Sequence, residues 1–181
     1  MGKAYRLLSI YDNSDTLGKW RGGHTGDDVM TESVISSLEL HNLFCHCVNE
    51  GVTFESMLFT THGAPGAIAL SREIVGREEW LNEFYGEKFE TLFPFPFARI
   101  YFDGCNVAEG EAGWQFLEAT GLTFLRAWGG AVLGWTSLGF GVPSFVPFIG
   151  SHTVHPWGDA RIVTVGPASD GGLDLKRCID D

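Results

Sequence analysis

The chain has 181 residues, 44% of them hydrophobic, which is ample for one core in a single domain over 1–181. Its 12 basic and 23 acidic residues leave a formal charge of −11, which argues against non-specific nucleic-acid binding, a role that needs a cationic footprint. No apolar stretch approaches the roughly 20 residues of a membrane span. The opening "MGKAYRLLSIYDNSD" reads as no secretory signal, and Arg6 stands where a myristoylation site needs Ser or Thr. Cys45, Cys47, Cys105 and Cys178 are too few and too uneven for a disulfide scaffold, so a reduced, cytoplasmic setting is expected.

In chain order, "KAYRLLSIY" (3–11) predicts a first strand, followed by a Gly-rich loop that includes "RGGHTGDD". The spacing of Val29, Met30, Val34 and Leu38 predicts a helix over 27–42, with its acidic start suited to the helix dipole. "LFCHCV" (43–48) and "FESMLFTTHG" (54–63) read as strands. Residues 71–93, with Ile74, Trp80, Leu81, Phe84 and Phe89, predict a helix after Gly76. "ARIYFDGC" (98–105) is a further buried strand, and 109–130 reads as one or two helices broken near Gly121. Strands over 131–137 and 160–166 close the set. Apolar strands alternating with amphipathic helices indicate a three-layer α/β/α sandwich with a mostly parallel sheet.

In such sheets, sites form at the carboxyl ends of strands. Two apolar runs end there in reactive residues, one in His62-Gly63 and the other in Asp103-Gly104-Cys105. A cysteine nucleophile needs a base to take its proton and donors for the developing oxyanion. His62 and Cys105 supply the first two parts, and glycines at 63 and 104 leave backbone amides uncovered for a substrate carbonyl. Other clusters are weaker. "CHC" (45–47) places Cys45 and Cys47 on one face of a strand and His46 on the other, but lacks the usual zinc spacing and a second pair. His152 and His155 have a ligand-like spacing without further ligands. "GKW" (18–20) lacks the rest of a P-loop. His24 is within reach of the same sheet edge, although Thr25 or Asp27 there suits a helix cap.

An apolar block ending in His-Gly, followed by a later block ending in Asp-x-Cys, resembles the caspase-like cysteine peptidases. That clan includes caspases, metacaspases, gingipains, clostripain and separase. The order and separation of His62 and Cys105 fit the caspase rule of thumb, with the His about 50 residues upstream. "THGAPGAIALSREIV" with "DGCNVAEGEAGWQFLEATG" looks most like bacterial caspase-like domains, over roughly residues 54–136. The caspase signature Q-A-C-[RQG]-G is absent, so specificity for Asp is not implied.

The resemblance implies a caspase-like sandwich and a cysteine endopeptidase acting on a protein or peptide, with no metal or cofactor. Cys105 would be the nucleophile and His62 the general acid/base, with the amides of Gly63 and Cys105 as oxyanion donors. Asp103 matches an acid that, in relatives cutting after Arg or Lys, lines the pocket for the basic side chain. The rival expectation is a catalytically silent interaction module that binds a protein partner through the apolar segment 137–158.

Overall fold

The computed structural model describes residues 2–12, 26–142, 152–154, 158–168 and 172–180. Seven strands form one mixed sheet: β1 (Ala4–Tyr11), β2 (Val29–Ser33), β3 (Thr53–Thr60), β7 (Ala98–Phe102), β8 (Gly130–Trp135), β11 (Ala160–Pro167) and β12 (Leu173–Asp180). Their spatial order is β12-β11-β8-β7-β3-β1-β2. The five strands from β2 to β8 pair in parallel, whereas β11 pairs antiparallel with both β8 and β12. The expected mixed α/β architecture with a mostly parallel sheet is therefore present. A separate antiparallel meander of β4 (His62–Ala64), β5 (Ala67–Leu70) and β6 (Glu73–Gly76) leaves the end of β3. A two-stranded pair, β9 (Phe140–Val142) with β10 (His152–Val154), follows β8.

The crossovers from β2 to β3, β3 to β7 and β7 to β8 all step in the same direction across the sheet. Right-handed connections of that kind place their helices on one face. The helices are α1 (Ser37–Asn49), a turn at Arg77–Glu79 that widens into a π-helix (Trp80–Phe84), a 3-10 helix (Lys88–Leu92), and α2 (Gly110–Phe124). Their apolar residues join Leu8, Ile10, Met57, Phe59, Ile100, Phe102, Val132 and Val163 in one buried cluster. At its centre, Trp80 touches Phe59, Phe84, Phe102, Phe116 and Phe124. The other sheet face presents the register-paired Leu58, Tyr101 and Leu133 with Trp135, all half-buried. The described helices thus pack on one face of the sheet, compatible with an α/β sandwich.

Several local expectations change. The strand expected at 43–48 lies inside α1, where Leu40, Phe44 and Cys47 form one helical stripe into the core. Cys45 and Cys47 are therefore helical neighbours, and they do not share a strand face. The helix expected over 27–42 splits, because β2 occupies 29–33 and Ser36 caps α1 by accepting from the Glu39 amide, 3.3 Å. Helix α2 runs through Gly121 without a break. A Cβ there would lie 2.6 Å from Val165 Cγ2, so the glycine permits close helix–sheet approach where a break was expected.

No helix among the described residues is long and apolar enough to cross a membrane. Trp80 is fully buried, and among the described residues its indole nitrogen has no hydrogen-bond partner. Trp80→Ala is expected to lower stability by about 3–5 kcal/mol in equilibrium urea unfolding. Trp80→Phe keeps ring contacts while removing the unpaired donor, and should cost much less. Equal losses in the two variants would contradict this account of the core.

Candidate active site

Strands β3 and β7 are adjacent and parallel, with Phe59 opposite Phe102, and the ladder runs on through the Asp103 N–H, which donates to Phe59 O at 2.9 Å. His62 follows β3 and Cys105 follows β7, so both stand at the same carboxyl edge. His62 is exposed at the start of the meander, opposite Ala69; Cys105 is half-buried.

The two loops meet backbone to backbone. A Cβ on Gly63 would come within 2.5 Å of Val107 Cγ2, 3.0 Å of Cys105 N, and closer still to the Cys105 carbonyl oxygen. One on Gly104 would lie 3.1 Å from Thr61 O and 3.2 Å from Gly63 Cα. The glycines are required here by contact, because any side chain at these positions would push the loops apart. Gly66 adds a hydrogen bond from its N–H to Val107 O, 3.0 Å. The two residues expected as oxyanion donors, Gly63 and Cys105, are thereby brought together.

Beyond Cys105 the chain turns sharply. Asn106 has φ +58°, the left-handed region, which Asn tolerates better than most residues. Its N–H donates to Ser137 O and that of Ala108 to Trp135 O, both at 3.0 Å, so the loop after β7 is laced to the end of β8. The Cys105 Sγ accepts from the Gly139 N–H at 3.2 Å, and its S–H donates to Gly139 O at 3.7 Å.

Asp103 follows Tyr101 by two residues, and both line an open groove of ≈ 600 Å³ on the sheet face opposite the described helices. Leu58, Arg99, Leu133 and Trp135 line it as well, with Arg6 and Glu55 among the others. Cys105 follows Asp103 by two residues, but neither it nor His62 lines the groove.

Asp12 was not foreseen. It ends β1, is 5% exposed, and accepts from Ser71 Oγ at 2.6 Å. The pairing of Tyr11 with Thr60 sets Asp12 across from Thr61, beside His62, so its bond to Ser71 fastens the meander that carries the histidine. The sequence held a signal for it. "SIYD" is an apolar run ending in a carboxylate at a strand terminus, the same pattern that singled out Asp103.

The remaining thiols lie elsewhere. Cys47 is buried in α1, where burial, with Glu32 adding to it, pushes its pKa up to about 11. Burial and then Glu87 also raise that of Cys45, whose Sγ is 3.6 Å from His41 Nδ1. Both are held as thiols and are poor nucleophiles. Cys178 is exposed on β12. Among the described residues, no three His, Cys, Asp or Glu side chains are grouped to hold a metal. The side chain of His152, and His24, Thr25, His155, residues 18–20 and most of 137–158, lie outside the described residues.

No protein-family model matches the chain, and no curated protein matches it significantly in sequence.

Gly63→Ala is expected to cost about 1–3 kcal/mol by overpacking, since the new methyl meets the Cys105 backbone as well as the short, branched Val107 side chain. Gly166→Ala is the control, with nothing within 4 Å of the added carbon, and should be near neutral. Thermal unfolding of the two variants checks this. A Gly63→Ala protein as stable as the wild type would mean that the loops do not touch as described.

Proposed function

We propose that this domain is a caspase-like cysteine endopeptidase, with Cys105 as nucleophile and His62 as general acid/base. The observation that carries the reading is the backbone contact of Gly63 with Cys105, at the shared carboxyl edge of two parallel strands. In this mechanism the thiol proton passes to the His62 ring as Sγ attacks the scissile carbonyl carbon. The oxyanion that forms is held by the amides of Gly63 and Cys105. The C–N bond then breaks, and the His62 imidazolium returns the proton to the departing amine, leaving a thioester. His62 next takes a proton from water as the water attacks the thioester carbonyl. The C–S bond breaks, the peptide acid leaves, and the sulfur regains its proton.

The proposed substrate is a polypeptide with Arg or Lys on the amino side of the cut. Asp103 supplies the carboxylate for that side chain. Tyr101 and Trp135, which share the groove with it, supply aromatic walls that suit a cation and its aliphatic stem. The acidic chain favours the approach of basic segments. The four cysteines are free thiols, which suits a reducing, cytoplasmic setting. The rival reading, an interaction module working through 137–158, draws support from Leu138, which is 58% exposed at the start of that segment.

A peptide library profiled at several salt concentrations tests the proposal. Cleavage is expected after Arg and Lys, more strongly at low salt. It should fall by a factor on the order of 10³ or more in both Cys105→Ala and His62→Ala, since members of one catalytic unit fail together. Asp103→Asn should lose the basic preference while retaining turnover of other sequences. Full activity in Cys105→Ala would remove it as the nucleophile, and unchanged selectivity in Asp103→Asn would remove that residue from the pocket.

A further inference from the structure

Resting on the peptidase reading, we infer that the backbone amide of Gly139 is a positioning group for the Cys105 sulfur. The Gly139 N–H points its proton at Sγ across 3.2 Å. A thiol sulfur is a weak acceptor, whereas a thiolate accepts as an ionised group and makes the stronger bond. While the sulfur is protonated its S–H donates to the Gly139 carbonyl at 3.7 Å; once the proton has gone, the Gly139 N–H is the contact that strengthens. Asn106 and Ala108 donate to the carbonyls of Ser137 and Trp135, which ties the segment leading from β8 to Gly139 to the loop that carries Cys105. Because the donor is main chain, no side-chain rotamer has to be ordered to form the bond.

This amide has a different task from those of Gly63 and Cys105. Those two face the substrate carbonyl, while Gly139 acts on the sulfur itself. It fixes the direction from which Sγ reaches the carbonyl carbon. When the C–S bond forms, the sulfur loses its negative charge and the Gly139 bond weakens. When water attacks and the C–S bond breaks, the departing sulfur regains charge and the bond strengthens again. Gly139 thus favours sulfur as the leaving group in thioester hydrolysis.

Two measurements on the full chain test this without a peptide substrate. The first follows the Gly139 amide resonance by nitrogen–proton correlation NMR across pH. A pH-dependent shift in the wild type that is absent in Cys105→Ala is expected; identical Gly139 shifts in both proteins at every pH would overturn the inference. The second follows alkylation of Cys105 by iodoacetamide, read by peptide mass spectrometry as a rate–pH profile. Gly139→Ala keeps the amide N–H and should track the wild type. Gly139→Pro removes it and should slow alkylation at neutral pH by about tenfold, the scale of one hydrogen bond to a charged group. Equal rates in the Pro and Ala variants would overturn the inference. Should Gly139→Pro fail to fold, the NMR comparison decides alone. Failure of the enzyme reading has a separate signature: no peptide is cut, while Gly139 still responds to Cys105.

Discussion

The site depends on one contact, the backbone of Gly63 lying against the backbone of Cys105 where no Cβ could fit. Parallel strands 4.7–4.9 Å apart bring successive loops to one edge, but they do not by themselves bring those loops into contact. The glycines at 63 and 104 remove the atoms that would separate them. The result is a histidine-bearing loop and a cysteine-bearing loop packed as one body, anchored below by Phe59 opposite Phe102. Its outer supports are Asp12 with Ser71 on the histidine side and the end of β8 on the cysteine side.

The sheet also divides its two faces between different tasks. Three crossovers with the same hand stack the described helices on one face, so the aromatic core around Trp80 stiffens the strands from that side. The opposite face keeps Tyr101, Asp103 and Trp135 in an open groove. One face of each strand is thus given to stability. The other is available for recognition, and the strand ends are available for chemistry.

Much of this was legible in the sequence. Continuous apolar runs at 3–11, 54–63 and 98–105 correspond to β1, β3 and β7, because strands buried among parallel neighbours need no polar alternation. What escaped had identifiable causes. Six residues, "LFCHCV", are too short a window to separate a helical stripe from a strand, and the stripe of Leu40, Phe44 and Cys47 is visible only over the whole of α1. The strand β12 was missed because Asp174, Lys176 and Arg177 give it a polar look. It is an edge strand recruited by β11, with Arg177 tied to Glu111 and Glu118 on α2. In the site, His62, Cys105 and Asp103 stood out as chemical groups at strand ends. Gly139 and Ser71 did not, since a glycine amide and a surface serine acquire meaning only from what folds against them.

The central claim is that His62 and Cys105 act as one unit. A peptidyl acyloxymethyl ketone ending in arginine, offered to the wild type and to His62→Ala, tests it most directly, with the labelled cysteine located by mass spectrometry. The account predicts rapid, stoichiometric labelling of Cys105 in the wild type, strong loss of that labelling without His62, and little labelling of Cys45 or Cys47. Labelling confined to the exposed Cys178, or labelling of Cys105 at the same rate with and without His62, would contradict it.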